Sequence, residues 1–506
     1  MFCSVLSAAI FGVEAVPIRV EADVSDGLPS FTIVGYVGAQ VREAQERVRT
    51  ALKNIGIRMP PKRITINLSP GNLRKEGTRF DLPIAVAILA AMGRIPEGAL
   101  DGFILLGELH LDGGVGPVPG VLPSLLKASE TGCTGCVIPA RNAQEGRNVQ
   151  GLLIVSVSSL KDILSFTREG VIPEQEEGLL SREPLPESLP DFADIRGQET
   201  VKRVSVVAAA GFHNLLLSGP PGSGKSMAAK RIPSILPPLT EEESLELSGI
   251  YSVAGKLSDK GQLMKTRPFR APHHTISPYA LCGGGRIPHP GEITLAHRGV
   301  LFLDEFPEMK LPTLEMLRQP LEDRKIMISR LDYSYIFPAE FLLVAAMNPC
   351  PCGYYPDMNR CTCTEHDVQR YKQKLSGPIL DRIDLRCDVQ EVEYRDLKAG
   401  GPDEISSAVM QEQVIRAAEI QRERYKDQGW LFNSELQPEM IKRYCTLTDE
   451  AERLLERAFD SLGLSARGYH RILKLSRTIA DLDGEDMIGS VHVGEAIGYR
   501  SSGQYE

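Results

Sequence analysis

Between Gly219 and Ser226 the chain reads GPPGSGKS, a small-residue loop that ends in one amine and one hydroxyl. These residue types at this spacing suit phosphate chemistry. The loop Gly219, Pro220, Pro221, Gly222, Ser223 and Gly224 can close around phosphate oxygens through its non-proline amides, Lys225 can neutralise the β and γ oxygens, and Ser226 can ligate magnesium at a helix N-terminus. Gly299 to Glu305 reads GVLFLDE, four apolar residues delivering two carboxylates. Asp304 is expected to hold magnesium through its shell, and Glu305 to polarise an attacking water. Asn348 ends a further apolar run, FLLVAAMNP, and is expected to contact the γ-phosphate or that water. ATP and Mg2+ are therefore the expected ligands, and ATP hydrolysis the expected reaction.

Four of the ten cysteines follow at once, in NPCPCGYYPDMNRCTCT: Cys350, Cys352, Cys361 and Cys363. Two C-x-C pairs, with Gly353 and Pro356 turning the loop between them, can fold four thiolates around one ion. A structural zinc is the expectation, with an iron–sulfur cluster or reduced thiols as alternatives; a catalytic zinc is disfavoured because four protein ligands leave no open position. Cys282, Cys387 and Cys445 stand alone and read as buried hydrophobes. Ten cysteines in 506 residues fall far short of a disulfide scaffold, so a reducing, cytoplasmic setting is expected.

These groups need elements to position them. HNLLLSGPPGSGKSMAAKRI, GVLFLDEF and FLLVAAMNP give three apolar strands separated by helix and loop signals, the pattern of a covered parallel sheet. Before them, strand-like VPIRVEADV and RITINLS alternate with helix-like VREAQERVRTALKNIG and LPIAVAILAAMG, an α/β arrangement. Arg168 to Asp191 carries six Glu and four Pro and reads as an extended linker. From about Asp403 the chain reads as all-helical, with Thr448 capping an Ala451, Leu454, Leu455, Ala458, Phe459, Leu462 stripe. The expected division is 1–168, an acidic Pro-rich linker at 169–192, a nucleotide-binding core at 193–400 with the cysteine insertion at 350–363, and helices at 401–506. The length suits about three domains. A formal net charge of −9 with 42% hydrophobic and 24% charged residues is ordinary for a globular chain; it excludes a uniformly basic coat but not a local basic channel. The longest apolar run, Leu82 to Met92, is too short to span a bilayer, and the N-terminus lacks a basic n-region, so neither membrane nor signal peptide is expected.

GPPGSGKS, GVLFLDE, the Asn348 strand end and LDRIDL at Leu380 to Leu385 resemble the P-loop, Walker B, sensor 1 and arginine-finger elements of AAA+ ATPases. That resemblance implies that Arg382 reaches the γ-phosphate of an adjacent subunit in a ring, usually a hexamer; a surface salt bridge with Asp381 or Asp384 is the bland alternative. SARGYHRILKLSRTIADL resembles a sensor 2 helix with Arg467 as the arginine, or else Arg471. FRAPHHTISPYALCGGGRIPHPGEITLAHRG and KIMISRLDYSYIFPAEF resemble the helix-2 and pre-sensor-1 insertions of the magnesium-chelatase-like subgroup. His273, His274, Arg286, Lys325 and Arg330 are expected near a threaded strand, with stacking from Tyr333 or Tyr335. Nearly the whole chain is similar to the ComM/YifB family. This implies a homo-hexameric DNA helicase acting on single-stranded and branched DNA, promoting branch migration in natural transformation beside recombination proteins.

Gly107 to Ala128 and Lys75 to Gly93 resemble the proteolytic domain of Lon, with a ribosomal-protein-S5-domain-2-like fold. A Lon-type protease needs a serine and a lysine, and the corresponding positions hold Arg79 and Leu122. Lys75, Thr78, Ser124 and Lys127 lie nearby, but an inactive domain is expected. The fold class is thus α/β: a Lon-like N-terminal domain, a central AAA+ P-loop sheet with two insertions, and a C-terminal helical lid. Two other readings stay open: a magnesium-chelatase motor working with partner subunits, and an ATP-dependent protease or unfoldase.

Overall fold

The computed structural model describes residues 1–173, 190–257, 261–330, 333–391, 405–428 and 432–500. Most of the expected linker, 174–189, lies outside the described residues, as do Leu331 and Asp332 of the second insertion. The chain divides into two compact units, one of residues 1–173 with 241–257 and 261–264, the other of the remaining described residues.

The first unit is built on a seven-stranded mixed sheet in the order Ser30–Val34, Arg63–Ser69, Glu14–Ser25, Phe2–Phe11, Phe103–Leu105, Gly135–Pro139, Leu153–Val157. The helix Asp81–Ala91 is apolar on every side, and all but one of its residues are buried, as such a helix requires. Its one charge, Asp81, is fully buried and is matched by Arg47, whose Nε and Nη2 donate at 2.6 and 2.9 Å.

Glu241–Val253, expected within the 193–400 core, belongs instead to this first unit. It packs on the helix Val121–Glu130, and its Leu247, Ile250 and Tyr251 are buried. Ser252 Oγ donates to Glu145 at 2.5 Å, and the Gly120 amide donates to the Ser252 carbonyl at 2.9 Å. Arg79 and Leu122 are both buried. Burial pushes the Arg79 guanidinium down to about 10 against the pull of Glu145, and Arg79 donates to the Pro119 carbonyl. The nearby polar groups are each engaged: fully buried Lys75 with the Pro70 carbonyl, Thr78 with Glu108 at 2.9 Å, Ser124 with the Gly120 carbonyl at 2.6 Å, and Lys127 with Glu130 at 2.9 Å.

The second unit holds a five-stranded sheet in the order Phe269–Arg270, Val300–Leu303, Leu342–Met347, Leu215–Ser218, Leu385–Asp388, with every pairing parallel. Strands this apolar on both faces need cover on both, and the helix Glu199–Gly211 supplies part of it. That helix packs in turn on Ser407–Arg424 and Ala466–Asp483, so the C-terminal helices share one apolar core with the sheet: Leu215 and Val344 join Ile472, Leu475 and Ile479. Thr448 caps Asp449–Ser461 by accepting from the Ala451 amide at 3.3 Å; Ala451, Leu455 and Ala458 of the predicted stripe are buried. Phe459, at the stripe's edge, is 39% exposed and meets Tyr469 edge-on. Two antiparallel pairs project from the sheet connections, Gly283–Gly284 with His289–Pro290 and Lys325–Ser329 with Ser334–Pro338. Among the described residues, no helix is long and apolar enough to cross a membrane.

Candidate active site and cysteine cluster

Sheet register brings the motifs expected to bind nucleotide together. Ser218 pairs with Met347 on one side and with Asp388 on the other, so Gly219, Asn348 and Val389 leave the sheet side by side at its carboxyl edge. The connections leaving the neighbouring strands Leu215–Ser218 and Leu342–Met347 run to opposite edges of the sheet, the switch point at which open α/β sheets bind ligands. Within the loop, Gly222 and Gly224 have φ of +80° and +93°, the left-handed region that glycine enters without a Cβ penalty.

Lys225 is buried, and its Nζ donates to the carbonyls of Gly219 and Pro220 at 2.7 and 2.8 Å and to Asn348 Oδ1 at 3.3 Å. Burial holds its pKa below the usual lysine value, against the opposing pull of Asp304. The amine thus reaches Asn348, the asparagine expected at the γ-phosphate, within the same constellation. Ser226 Oγ donates to Asp304 Oδ2 at 2.8 Å. Neighbouring ligands of an octahedral Mg2+ with bonds of about 2.1 Å stand about 3 Å apart, so this hydroxyl and carboxylate fit two adjacent positions on one ion.

Glu305 has φ of +49°, and its amide donates to Asp304 Oδ1 at 2.9 Å. Its carboxylate Oε2 lies 2.7 Å from His274 Nδ1. His274, expected among the DNA contacts, is therefore tied to the carboxylate expected to act on water, while the His273 ring lies 4.2 Å from it, tilted by 33°, and is exposed. Arg286 is exposed between the two short strands of the first insertion. Arg330 donates from Nη2 to the Gly285 carbonyl at 2.8 Å, which links the two insertions and sets Arg330 close to Arg286. Lys325 is exposed at the opposite end of its hairpin, paired with Pro338.

Arg382 is held within its own chain. It donates to the Pro378 carbonyl at 2.6 Å and pairs with Glu322, rather than with Asp381 or Asp384. Arg467 pairs with the other oxygen of Glu322 at 3.3 Å. Glu322 thus bridges both arginines that the motifs single out, and Arg382 holds its carboxyl below the usual range. Arg471, the alternative, is engaged by Asp384 at 3.3 Å and the Ile383 carbonyl at 3.2 Å.

The four cysteine sulfurs lie within 4.8 Å of one another; among the described residues they form the one group of three or more His, Cys, Asp or Glu side chains in ligating range. Cys350 to Cys352, Cys350 to Cys361 and Cys352 to Cys361 measure 3.3, 3.8 and 3.5 Å. Zinc–sulfur bonds of about 2.3 Å in a tetrahedron put the sulfurs about 3.8 Å apart. The Gly353 and Tyr355 amides point at Cys350 Sγ at 3.2 and 3.4 Å, the donors a thiolate would use. The residues present fit a closed four-thiolate metal site.

Several residues escaped the motif reading. Tyr354 and Arg360, inside the cysteine loop, line a cavity of about 250 Å3 with Gly219, Pro220 and Glu391. A second cavity of about 600 Å3 shares Asp388, Gln390 and Glu391 with it and adds Arg196, Gln198 and Tyr499. The signal for Arg196 and Gln198 was DFADIRGQE, a polar approach to the helix Glu199–Gly211 in which Gln198 takes a φ of +57°. Glu322 carried no signal, because a helical glutamate is ordinary until its partners are known.

Comparison with known proteins agrees with this geometry. Family models described as "Magnesium chelatase, subunit ChlI", "Subunit ChlI of Mg-chelatase" and "Magnesium chelatase, subunit ChlI C-terminal" match residues 191–397, 20–142 and 404–500. The chain is 44% identical to "Competence protein ComM" of Haemophilus influenzae over 98% of its own length and 97% of that protein. It is 43% identical to the protein YifB of Escherichia coli over 97% of this chain and 96% of the relative. A shorter match, 30% identity over 121 residues, covers 24% of this chain and 21% of "Lon protease 2" of Bacillus subtilis. A parallel P-loop sheet, a helical C-terminus continuous with it, and near-full-length identity to these relatives lead to one assignment: the chain belongs to the ComM/YifB family of magnesium-chelatase-like proteins.

Proposed function

We propose that this protein is an ATP-driven DNA motor that works as a homo-hexameric ring in the cytoplasm and promotes branch migration when incoming DNA recombines during natural transformation. The observation that carries the ATPase part is the convergence of Lys225, Ser226, Asp304 and Asn348 through contacts of 2.8 to 3.3 Å at the sheet's switch point. ATP would lie on the P-loop with its γ-phosphate toward Lys225 and Asn348. Ser226 and Asp304 would hold Mg2+, which offsets phosphate charge when bound. Glu305 orients the water, and His274 orients Glu305. Arg382 would leave Glu322 to act on the neighbouring subunit's nucleotide, with Arg467 completing the site within its own chain. The competence part rests on likeness to a protein named for competence.

DNA, single-stranded or branched, would run past the two linked insertions, with Arg286 and Arg330 on its phosphates and Lys325 and His273 further along. The first unit would keep a Lon-like, proteolytically inert fold that organises the ring. Zinc would occupy the four thiolates. A second reading, a motor for metal insertion into a porphyrin, is favoured by the matching chelatase-subunit models.

The test is movement of a three-stranded DNA junction. ATP-dependent branch migration by the wild type, absent with Glu305→Gln, is expected. ATP turnover that responds to porphyrin and chelatase partner chains, with no junction movement, would replace this reading with the second.

A further inference from the structure

The cysteine loop does more than follow the sensor asparagine in sequence; it rests on the P-loop. A Cβ built on Gly353 would lie 2.6 Å from Pro221 Cδ and 3.9 Å from the Asn348 side chain, so the loop backbone is packed directly against the phosphate-binding loop. The amide of that same Gly353 is fixed by Cys350, through its carbonyl at 3.0 Å and its sulfur at 3.2 Å. Cys350 itself is buried. On the other side of the loop, Arg360, next to Cys361, donates from Nη1 to both carboxylate oxygens of Glu391 at 2.7 and 2.9 Å and lies over the Tyr354 ring at 4.1 Å. Glu391 follows the strand Leu385–Asp388, whose end also abuts Gly219: a Cβ there would meet the Val389 carbonyl.

We propose that the four-cysteine loop is a metal-dependent brace for the P-loop, so that metal occupancy at Cys350, Cys352, Cys361 and Cys363 sets nucleotide affinity. The inference rests on the reading of Gly219–Ser226 as an ATP site. Without an ion, four thiols have no reason to stay gathered, and the turns that carry Gly353 and Arg360 lose their common anchor. The packing on Pro221 then loosens, and the amides that close around phosphate are no longer held in one conformation. A loss of this kind weakens ground-state binding more than chemistry, so it belongs in Kd and KM rather than in kcat.

The experiment measures zinc content by elemental analysis and the Kd of a fluorescent ATP analogue, binding alone, for full-length wild type and two variants. Cys361→Ser with Cys363→Ser should lose zinc and raise Kd about tenfold, a loss of about 1.4 kcal/mol. Gly353→Ala keeps all four thiols yet presses a methyl on Pro221 at a φ of +89°; it should retain zinc and raise Kd to a similar degree. Chelation of the wild type should raise Kd likewise, and zinc should restore it. A wild type without zinc, or one with zinc whose Kd matches that of both variants, overturns the brace. Failure of the zinc-loaded wild type to bind the analogue at all would instead overturn the ATP-site reading, and the brace with it.

Discussion

Asp384 shows how one residue's surroundings decide its chemistry. Burial works against its charge, but Arg471 at 3.3 Å and His213 at 3.7 Å, with the Lys474 charge, hold its carboxyl far below the ordinary range. A carboxyl whose folded pKa lies below its unfolded value stabilises fully above the unfolded value, about 4, and loses that contribution as pH falls toward the folded value. Melting temperature followed from pH 7 down to pH 2 should hold its plateau to about pH 4 and then fall. Asp384→Asn should cost about 1–3 kcal/mol at neutral pH and flatten the acid limb. At this scale the sequence was informative where motif spacing is fixed: Lys225, Ser226, Asp304 and Asn348 stand out in one dimension, and the fold brings Lys225 to Asn348 and Ser226 to Asp304. His274 on Glu305 and Glu322 between two arginines were not, because each pairing crosses loops whose path the sequence does not specify.

At the scale of elements, the apolar runs NLLLS, GVLFL and FLLVAAM were legible as strands because a fully covered strand admits few polar residues. Phe269–Arg270 and Leu385–Asp388 complete the sheet at its two edges and were not, being only two and four residues long and carrying arginines or aspartate. Glu241–Val253 read as part of the core by position alone. Its partners, the helix Val121–Glu130 and Glu145, lie more than a hundred residues earlier, which no local pattern reveals. The C-terminal helices are held to one another by polar contacts as well as apolar ones. Asp481, fully buried as a side chain, accepts from Arg424 at 2.5 Å, from Arg477 at 3.0 Å and from Asn433 at 2.8 Å. Asp481→Ala strands the buried Arg477 guanidinium without its counter-charge and should cost about 3–5 kcal/mol, read as a shift in the denaturant midpoint. Asp481→Asn, which keeps hydrogen-bonding capacity, should cost less.

Across the whole molecule, the account requires that one subunit's Arg382 completes another's nucleotide site. In the single chain Arg382 and Arg467 converge on Glu322, so under this proposal a neighbour's phosphate must compete with Glu322 for the arginine. An arginine acting in this way is worth about 10³–10⁵ in rate. Arg382→Ala and Lys225→Ala should each be inactive alone; mixed, they should recover a measurable fraction of wild-type turnover, because a mixed interface joins an intact P-loop to an intact arginine. Mixtures as inactive as their components would place the arginine's role within its own chain. The central claim, that hydrolysis is coupled to DNA, is tested most directly by ATP turnover with and without single-stranded DNA at fixed salt, for the wild type, Lys225→Ala and Glu305→Gln. The account predicts DNA-stimulated turnover in the wild type and none in either variant. A robust wild-type ATPase indifferent to DNA would contradict it.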